Sequence, residues 1–271
     1  MDDSATTVSV VIPVKDDAAR LRRCLRALRL QTRPPDEIVV VDNASADASA
    51  AVAAAAGAVL ARCGQPGIPA AATHGYDRAS GDLILRLDAD CVPPATWVET
   101  MVAAAARHPE VAAFTGGARF IDGPRRLRMP LATAYLGAYA VVGMLALGHP
   151  PLFGSNLAIR RAAWLGVRGE VHRDDAGLHD DLDLAFHLGE RHRIRYLPAA
   201  GMGISMRPFT DPRGGAVRVG RGVRTVLRHW PYDFPPLRWN RRVIRRVIRR
   251  LMRRAAVMQR GGGRHPVQVP G

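Results

Sequence analysis

The fold is decided by the stretch Leu83-Ile84-Leu85-Arg86-Leu87-Asp88-Ala89-Asp90-Cys91-Val92-Pro93. Its first five residues are a largely apolar, β-forming run, which predicts a strand that is covered on both faces of its sheet. Asp88 and Asp90 would then lie at the carboxyl end of this strand, where open α/β sheets bind ligands. Two hard oxygen ligands so close together suit Mg²⁺ or Mn²⁺. Taken alone, an Asp-x-Asp pair is more often a solvated turn, so its meaning depends on the rest of the chain.

Strand and helix patterns alternate over the first half of the chain. The patterns predict strands over residues 8–14, 37–41, 58–61, 83–87 and 111–115, and helices over 18–30, 45–56, 69–79 and 95–107. This alternation predicts an α/β domain with a doubly wound, mostly parallel sheet. The glycine fingerprint of dinucleotide-binding folds is absent after the first strand, and so is a phosphate-binding loop ending in Gly-Lys. Both absences argue against a dinucleotide oxidoreductase and a P-loop nucleotidase.

The second half of the chain has a different character. Residues 119–130 are basic and predict a loop, whereas residues 131–147 predict an apolar helix. That helix is at the short end of the roughly 17–25 residues needed to cross a bilayer, so we expect it to be buried or interfacial. The acidic cluster His179-Asp180-Asp181-Leu182-Asp183-Leu184 opens a helix to about Arg191, where acids favour the helix dipole. Residues 193–197 predict a strand that ends at Pro198.

The composition is that of a folded and strongly basic protein. Hydrophobic residues make up 48% of the 271-residue chain, which excludes a disordered protein, and the formal net charge is +15. Lys15 is the only lysine, so nearly all of the positive charge is arginine. The three cysteines, Cys24, Cys63 and Cys91, form no Cys-x-x-Cys pair, which argues against both a disulfide framework and a zinc site. The first residues lack the pattern of a signal peptide, and these features together predict a cytoplasmic protein.

Five segments, in order, resemble the motifs of the family 2 glycosyltransferases of GT-A fold. They are Val8–Val14 with Asp16 and Asp17, Glu37–Asp42 with Asn43-Ala44-Ser45, Ala79-Ser80-Gly81-Asp82 leading to Asp88-Ala89-Asp90, Gly154-Ser155-Asn156, and Asp180-Asp181-Leu182-Asp183-Leu184. The resemblance covers about Thr7 to Pro198. It implies a Rossmann-like sheet and an inverting transfer of a sugar from a nucleotide-diphosphate sugar to an acceptor hydroxyl.

The resemblance also implies roles for individual residues. Asp88 and Asp90 resemble the metal motif, which would hold Mg²⁺ or Mn²⁺ against the diphosphate. Asp181 aligns with the general base of the family, and Asp180 is the alternative catalytic carboxylate. The residues implied in nucleotide-sugar binding are Pro13, Asp16, Asp17, Asp42, Asp88, Ala89, Asp90, Gly154, Ser155 and Asn156. The donor could be a UDP-, GDP- or dTDP-sugar.

Three positions depart from the family pattern. Lys15-Asp16-Asp17 stands where Asn-Glu or Asp-Glu is common, and His187 stands where many members carry an arginine. No histidine lies near Ser205-Met206-Arg207, where many members of this fold supply a further metal ligand. The resemblance therefore predicts weaker metal binding, or binding through phosphates and water.

The end of the chain is rich in arginine. Residues 207–224 mix arginines with glycines and predict either a mobile loop over the donor diphosphate or a solvated loop. Pairs of arginines alternate with apolar pairs over residues 239–254, which predicts a basic amphipathic helix. Such a helix could bind an anionic membrane surface through residues 238–254, bind nucleic acid, or pack on the domain with solvated arginines. Residues 261–271 predict a frayed end.

The sequence therefore predicts a GT-A domain over residues 1–205 and a basic helical extension over 206–271. The donor half would end near residue 117, and the acceptor half would cover 118–205. We expect a peripheral enzyme on the inner face of the plasma membrane, with a lipid-linked or cell-envelope glycan as acceptor. Transfer to polyprenyl phosphate is the second enzymatic hypothesis. A catalytically inactive transferase-like module and a basic nucleic-acid-binding module are the non-enzymatic ones.

Overall fold

A computed structural model describes residues 6–210, 212–245 and 247–248. The strands in this part are β1 Val8–Val14, β2 Glu37–Asp42, β3 Val59–Arg62, β4 Leu83–Arg86, β5 Val111–Phe120, β6 Leu157–Arg160 and β7 Arg193–Ile204. The helices are α1 Ala18–Arg29, α2 Ser49–Ala55, α3 Ile68–Arg78, α4 Trp97–Arg107, α5 Arg125–Leu147, α6 Arg161–Val167, α7 Asp180–Arg191, α8 Arg207–Thr210 and α9 Pro212–Arg228. A further helical segment covers residues 235–245.

The seven strands form one sheet in the order β3-β2-β1-β4-β6-β5-β7. β1 pairs in parallel with β2 and β4, β2 with β3, and β5 with β7. β6 is antiparallel to both of its neighbours, β4 and β5. The predicted α/β class with a mostly parallel sheet is confirmed.

Helices cover both faces of the sheet, which is why its strands are apolar on both sides. Within β1, Val10 and Ile12 pack into one hydrophobic cluster with Leu21 of α1. Val11, between them, belongs to a second cluster with Tyr76 of α3. The predicted central strand is also covered on both faces, because all four residues of β4 are buried.

The pairing register brings the predicted functional segments to one edge of the sheet. Val14 at the end of β1 lies opposite Asp42 at the end of β2, and β4 ends beside them. Because β6 is antiparallel to β4, its first residue, Leu157, lies opposite Arg86, the last residue of β4. Residues 154–156 therefore lie at the same edge as the Asp88-Ala89-Asp90 turn.

Two element predictions in the second half are wrong. β5 continues to Phe120 and α5 begins at Arg125, so the expected loop over 119–130 is only four residues long. β7 does not end at Pro198 but continues to Ile204. The pairing of β7 with β5 shifts register between Leu197 and Met202, and such an irregularity accommodates a proline that cannot donate a ladder hydrogen bond.

The segment predicted as a loop over residues 207–224 is helical. α8 and α9 cover 207–210 and 212–228, although four glycines lie within α9. Thr225 is fully buried and Val226 packs against the second hydrophobic cluster. Burial of this face of the helix therefore overrides the low helix propensity of its glycines. The predicted frayed end, residues 261–271, lies outside the described residues.

Candidate active site

A polar cleft of about 400 Å³ opens at the carboxyl edge of the sheet. The predicted site residues that line it are Pro13, Asp17, Asp88, Ala89, Asp90, Gly154, Ser155, Asp180 and Asp181. Four different segments of the chain thus converge where the sequence predicted a site. The cleft is also lined by residues that were not predicted as site residues, among them Arg86, His179, Arg207, Arg218 and Arg221.

Arg86 joins the two acidic motifs of the cleft. Its side chain is only 2% exposed, and its Nη2 lies 2.9 Å from Asp88 Oδ1 while its Nη1 lies 2.8 Å from Asp180 Oδ2. A buried charge is strongly unfavourable unless it is paired. The sequence carried a signal for this residue, because an arginine inside an otherwise apolar strand requires acidic partners.

Gly154 allows this arrangement because it has no side chain. A Cβ atom at this position would lie 1.9 Å from Arg86 Nη1 and 3.1 Å from Asp181 Oδ2. The Gly154 N–H donates a hydrogen bond of 2.6 Å to Asp181 Oδ2. Glycine at position 154 therefore leaves room for the Arg86 guanidinium and for Asp181.

Asp181 is held by groups on three sides. In addition to Gly154, the Tyr139 hydroxyl lies 3.1 Å and His179 Nδ1 lies 2.6 Å from Asp181 Oδ1. Burial raises the pKa of this carboxyl, but the charge and hydrogen bond of His179 outweigh it and lower the pKa to about 2. The charge of Asp181 in turn overcomes the effect of burial on His179, and raises the pKa of His179 to about 8. Burial raises the pKa of Asp180 to about 6 despite the charge of Arg86.

Asp88 and Asp90 provide a donor set that fits a divalent cation. Their carboxylate oxygens lie within 4.8 Å of each other, and the Ser155 hydroxyl donates to Asp88 Oδ2 at 2.5 Å. Burial and the charge of Asp88 raise the pKa of Asp90, although Arg207 opposes them. Hard oxygen ligands of this kind suit Mg²⁺ or Mn²⁺.

Arg207 lies near the position where the family resemblance would place a metal-binding histidine. Its Nη2 lies 2.7 Å from Asp17 Oδ2 and 2.7 Å from Asp90 Oδ2, so it bridges the first and third acidic motifs. The distance in sequence between these partners hid the contact, because 117 residues separate Asp90 and Arg207. A guanidinium here adds fixed positive charge to the cleft.

Three predicted site residues do not line the cleft. Asp42 is buried, and its Oδ1 accepts a hydrogen bond from Ser45 N at 3.0 Å. Asp16 has φ of 50° and its Oδ1 accepts from Ala46 N at 2.7 Å. Both carboxylates therefore support the loop that follows β2.

Asn156, the third of these residues, has its side chain buried outside the cleft. It is fully buried, and its Oδ1 accepts from Trp97 Nε1 at 2.8 Å. Its Nδ2 donates to the carbonyl oxygens of Gly117 and Ala200 at 2.9 and 2.6 Å. The side chain therefore connects α4, β5 and β7.

Known proteins match this chain in sequence and in fold. Residues 9–164 match the family described as "Glycosyl transferase family 2". Glycosyltransferase AglE of Haloferax volcanii is 35% identical over 107 residues, which are 36% of this chain and 35% of that protein. The chain therefore spans about a third of the length of this curated relative.

Two solved structures share the fold. The mannosyltransferase PcManGT of Pyrobaculum calidifontis, in complex with GDP-Man and Mn²⁺, superposes with a TM-score of 0.61 at 20% identity, over 86% of this chain and 68% of that one. Glucosyl-3-phosphoglycerate synthase of Mycobacterium tuberculosis, with Mn²⁺, UDP and phosphoglyceric acid, gives 0.57 at 20% identity, over 82% and 78%. At this identity the likeness shows the GT-A fold.

The His179–Asp181 pair makes folding stability depend on pH. Because the pKa of His179 is raised from 6.5 to about 8, its stabilising charge is fully present below pH 6.5 and is lost as the pH rises through 8. We expect the wild type to lose about 2 kcal/mol of unfolding free energy across this window. Urea unfolding at pH 6 and pH 9 measures this loss. In His179→Gln the same rise in pH should cost at least about 1 kcal/mol less, and equal losses in both proteins would contradict the assignment.

Proposed function

The chain belongs to glycosyltransferase family 2, and we propose that it transfers a sugar, with inversion, from a nucleotide-diphosphate sugar to an acceptor hydroxyl. The observation that carries the proposal is the contact of one buried guanidinium with both acidic motifs. Arg86 holds Asp88 and Asp180 at 2.9 and 2.8 Å. The donor-metal motif and the base motif therefore open into one cleft, as a direct displacement between two bound substrates requires.

The cofactor is a divalent cation, Mg²⁺ or Mn²⁺, which Asp88 and Asp90 would hold. When bound, such an ion neutralises the diphosphate and the charge that develops on the leaving group. Arg207 supports the same end of the cleft with a permanent positive charge, because it contacts Asp90 and Asp17. In this proposal the donor diphosphate lies between these groups, and Ser155 keeps Asp88 oriented through its hydrogen bond.

Asp181 takes the proton from the acceptor hydroxyl as the general base. Its lowered pKa keeps it ionised at neutral pH, and His179 and Gly154 fix the orientation of its carboxylate. The negative charge of the incoming diphosphate raises the proton affinity of a nearby carboxylate. Asp180 has a different task, since it is the counter-ion of Arg86.

A phosphorylated acceptor, such as polyprenyl phosphate, is the second candidate. Arg218 and Arg221 of α9 line the cleft in addition to Arg207. The Arg221 carbonyl accepts a hydrogen bond from Thr225, and the Thr225 hydroxyl accepts one from His179 N, so this cationic helix lies at the base end of the cleft. An acceptor phosphate would bind there as an anion and would need no general base.

Nucleotide binding tests the donor proposal. Calorimetric titration with UDP, GDP and dTDP, each with and without Mn²⁺, should reveal one nucleotide that binds in a metal-dependent way. We expect Asp90→Asn to weaken this binding by at least about 10-fold, since it removes half of the proposed metal site. Glu110→Gln is the control, because it makes the same acid-to-amide change just before β5, at the opposite edge of the sheet. It should leave nucleotide binding unchanged. Failure of all three nucleotides to bind would contradict the transferase proposal.

Amide variants of the two neighbouring acids test the base. Asp181→Asn should lower kcat for a hydroxyl acceptor about 10²- to 10⁴-fold, while the affinity for the donor nucleotide stays near that of the wild type. Asp180→Asn should instead lower the melting temperature, because it leaves Arg86 with one partner. Loss of kcat with normal stability in Asp180→Asn would assign the base to Asp180. Full activity of Asp181→Asn on a lipid phosphate would favour the phosphorylated acceptor.

We further propose that the enzyme lies on a membrane surface through α5 and residues 235–248. Within the described residues, α5 is long and apolar enough to cross a bilayer. An 18-residue stretch of it has a mean hydropathy of 1.6, and only 22% of that stretch is buried. One side of α5 serves the site, because Tyr135 lines the cleft and Tyr139 contacts Asp181. The other side exposes apolar residues, including Val142 at 65% and Leu145 at 56%. A helix that contacts the protein on one side and exposes apolar residues on the other is suited to lie along a membrane surface.

The C-terminal helical segment continues this apolar surface. An apolar groove between it and α5 is lined by Val141, Leu145, Trp239 and Val243, among others. Two of its arginines contact the domain: Arg238 is fully buried over the Phe186 ring, and Arg241 contacts Asp233. Its apolar residues face outward, as Val243 and Ile244 are each 57% exposed. The inward pairing of these arginines disfavours the nucleic-acid alternative and makes apolar burial the main source of membrane affinity.

Vesicle flotation tests the membrane proposal. The wild type should float with vesicles of phosphatidylcholine and phosphatidylglycerol, and should remain bound in 0.5 M NaCl because apolar contacts are not screened by salt. The double variant Val142→Glu/Leu145→Glu should remain in the soluble fraction. Leu30→Glu is the matched control, since Leu30 is 70% exposed at the end of α1. Equal flotation of the double variant and the control would exclude α5 as the contact surface.

A further inference from the structure

A second cluster of metal-ligating side chains lies apart from the Asp88–Asp90 pair. It comprises His172 in the loop before α7, Asp183 and His187 on α7, and His229 after α9. One ligand atom from each of the four residues lies within 4.8 Å of the others. Asp183 and His229 are buried, and His172 and His187 are half-buried.

Three imidazole nitrogens converge on a single carboxylate oxygen. His172 Nδ1, His229 Nε2 and His187 Nε2 lie 2.7, 2.9 and 3.7 Å from Asp183 Oδ1. Around a tetrahedral ion with bonds of about 2.0–2.2 Å, neighbouring ligand atoms stand roughly 3.4 Å apart. The observed distances lie on both sides of this value, so small side-chain movements would complete a four-ligand shell.

Hydrogen bonding alone does not account for the cluster. His187 Nε2 is buried and has no hydrogen-bond partner among the described residues, although it faces the carboxylate. Asp183 Oδ2 is already engaged, because it accepts a hydrogen bond from the His172 N–H at 2.9 Å. A buried nitrogen that faces a shared centre without a hydrogen-bond partner is suited to coordinate a metal ion.

The outer ring nitrogens of two histidines face further carboxylates. His187 Nδ1 lies 3.6 Å from Glu170 Oε2, and His229 Nδ1 lies 3.7 Å from Asp233 Oδ2. Metal-bound histidines commonly donate their second N–H to a carboxylate, which fixes the tautomer and orients the ring. The second ring nitrogen of each histidine therefore lies near a carboxylate on the side away from Asp183.

We propose that His172, Asp183, His187 and His229 bind a divalent transition-metal ion of the Zn²⁺ type. Three imidazoles and one carboxylate suit such an ion, whereas the all-oxygen pair Asp88 and Asp90 suits Mg²⁺ or Mn²⁺. The sequence argument against a zinc site rested on the cysteines, and this site contains none. Since the ligands come from three segments, the ion ties α9 and the loop before α7 to the helix that begins with Asp180 and Asp181. Its role is structural, and it is independent of the proposed sugar transfer.

Metal titration of the full chain tests the proposal without any assay of activity. The protein is stripped with EDTA, desalted, and titrated with Zn²⁺ by calorimetry in the presence of Mg²⁺ to occupy the oxygen site. Co²⁺ serves as the spectroscopic probe, because tetrahedral Co²⁺ absorbs strongly in the visible. We expect one equivalent of Zn²⁺ to bind, the melting temperature to rise, and Co²⁺ to give a tetrahedral spectrum.

Three variants locate the bound ion. His187→Gln removes one of the two half-buried ligands. It should weaken Zn²⁺ binding by more than the 10- to 100-fold typical of losing a group that only orients a ligand. Glu170→Gln keeps all four ligands and should weaken binding within that range, so it tests the site even where a ligand variant folds poorly. His74→Gln, an exposed histidine on α3, should bind as the wild type does. No saturable Zn²⁺ binding, or equal affinity in all four proteins, would overturn the proposal.

Discussion

The site depends on one buried positive charge. Arg86 ends the central strand with its guanidinium out of water, and a desolvated charge is tolerated only with close counter-charges. Asp88 follows two residues later on the same strand end, whereas Asp180 arrives from the start of α7. The pairing therefore sets where α7 approaches the sheet, and with it where Asp181 lies relative to the metal motif. The contacts that neutralise Arg86 therefore also set the proposed catalytic geometry.

Much of the fold and the edge of the site follow from local patterns in the sequence. Alternating strands and helices place the ends of β1, β2 and β4 side by side, since parallel strands end at a common edge. Asp88 and Asp90 were predicted from the end of the central strand, and Asp180 and Asp181 from the family resemblance; all four line one cleft. The contacts of Arg207 with Asp90 and of His179 with Asp181 were not predicted, because they are set by three-dimensional packing. Asn156 shows the reverse case: its motif was recognised, yet its amide is committed to Trp97 and two backbone carbonyls.

Two of the three element errors in the second half have a common physical origin. Glycines and prolines were interpreted as breaks, but α9 is helical because one of its faces is buried, and β7 passes Pro198 through an irregularity in its ladder. Burial of Thr225 and Val226 outweighs intrinsic propensity there. The basic amphipathic helix predicted over residues 239–254 can be followed only in its described part, since residues 246 and 249–254 lie outside the described residues. Periodicity alone cannot tell which stripe of that part faces the protein. Acceptors at Asp233 and Glu190 turn the basic stripe inward, and the apolar stripe is left outside.

Positions 86 and 154 have a consequence for how this chain can diverge. A side chain at residue 154 is excluded by the guanidinium of Arg86, and the guanidinium is in turn retained by the two acids that it neutralises. A substitution at either position is therefore harmful alone, while a smaller neutral residue at 86 would relieve the steric exclusion at 154. The effects of the two substitutions should not add, as is usual for residues in contact. Replacements at positions 86 and 154 are therefore expected to occur together rather than singly.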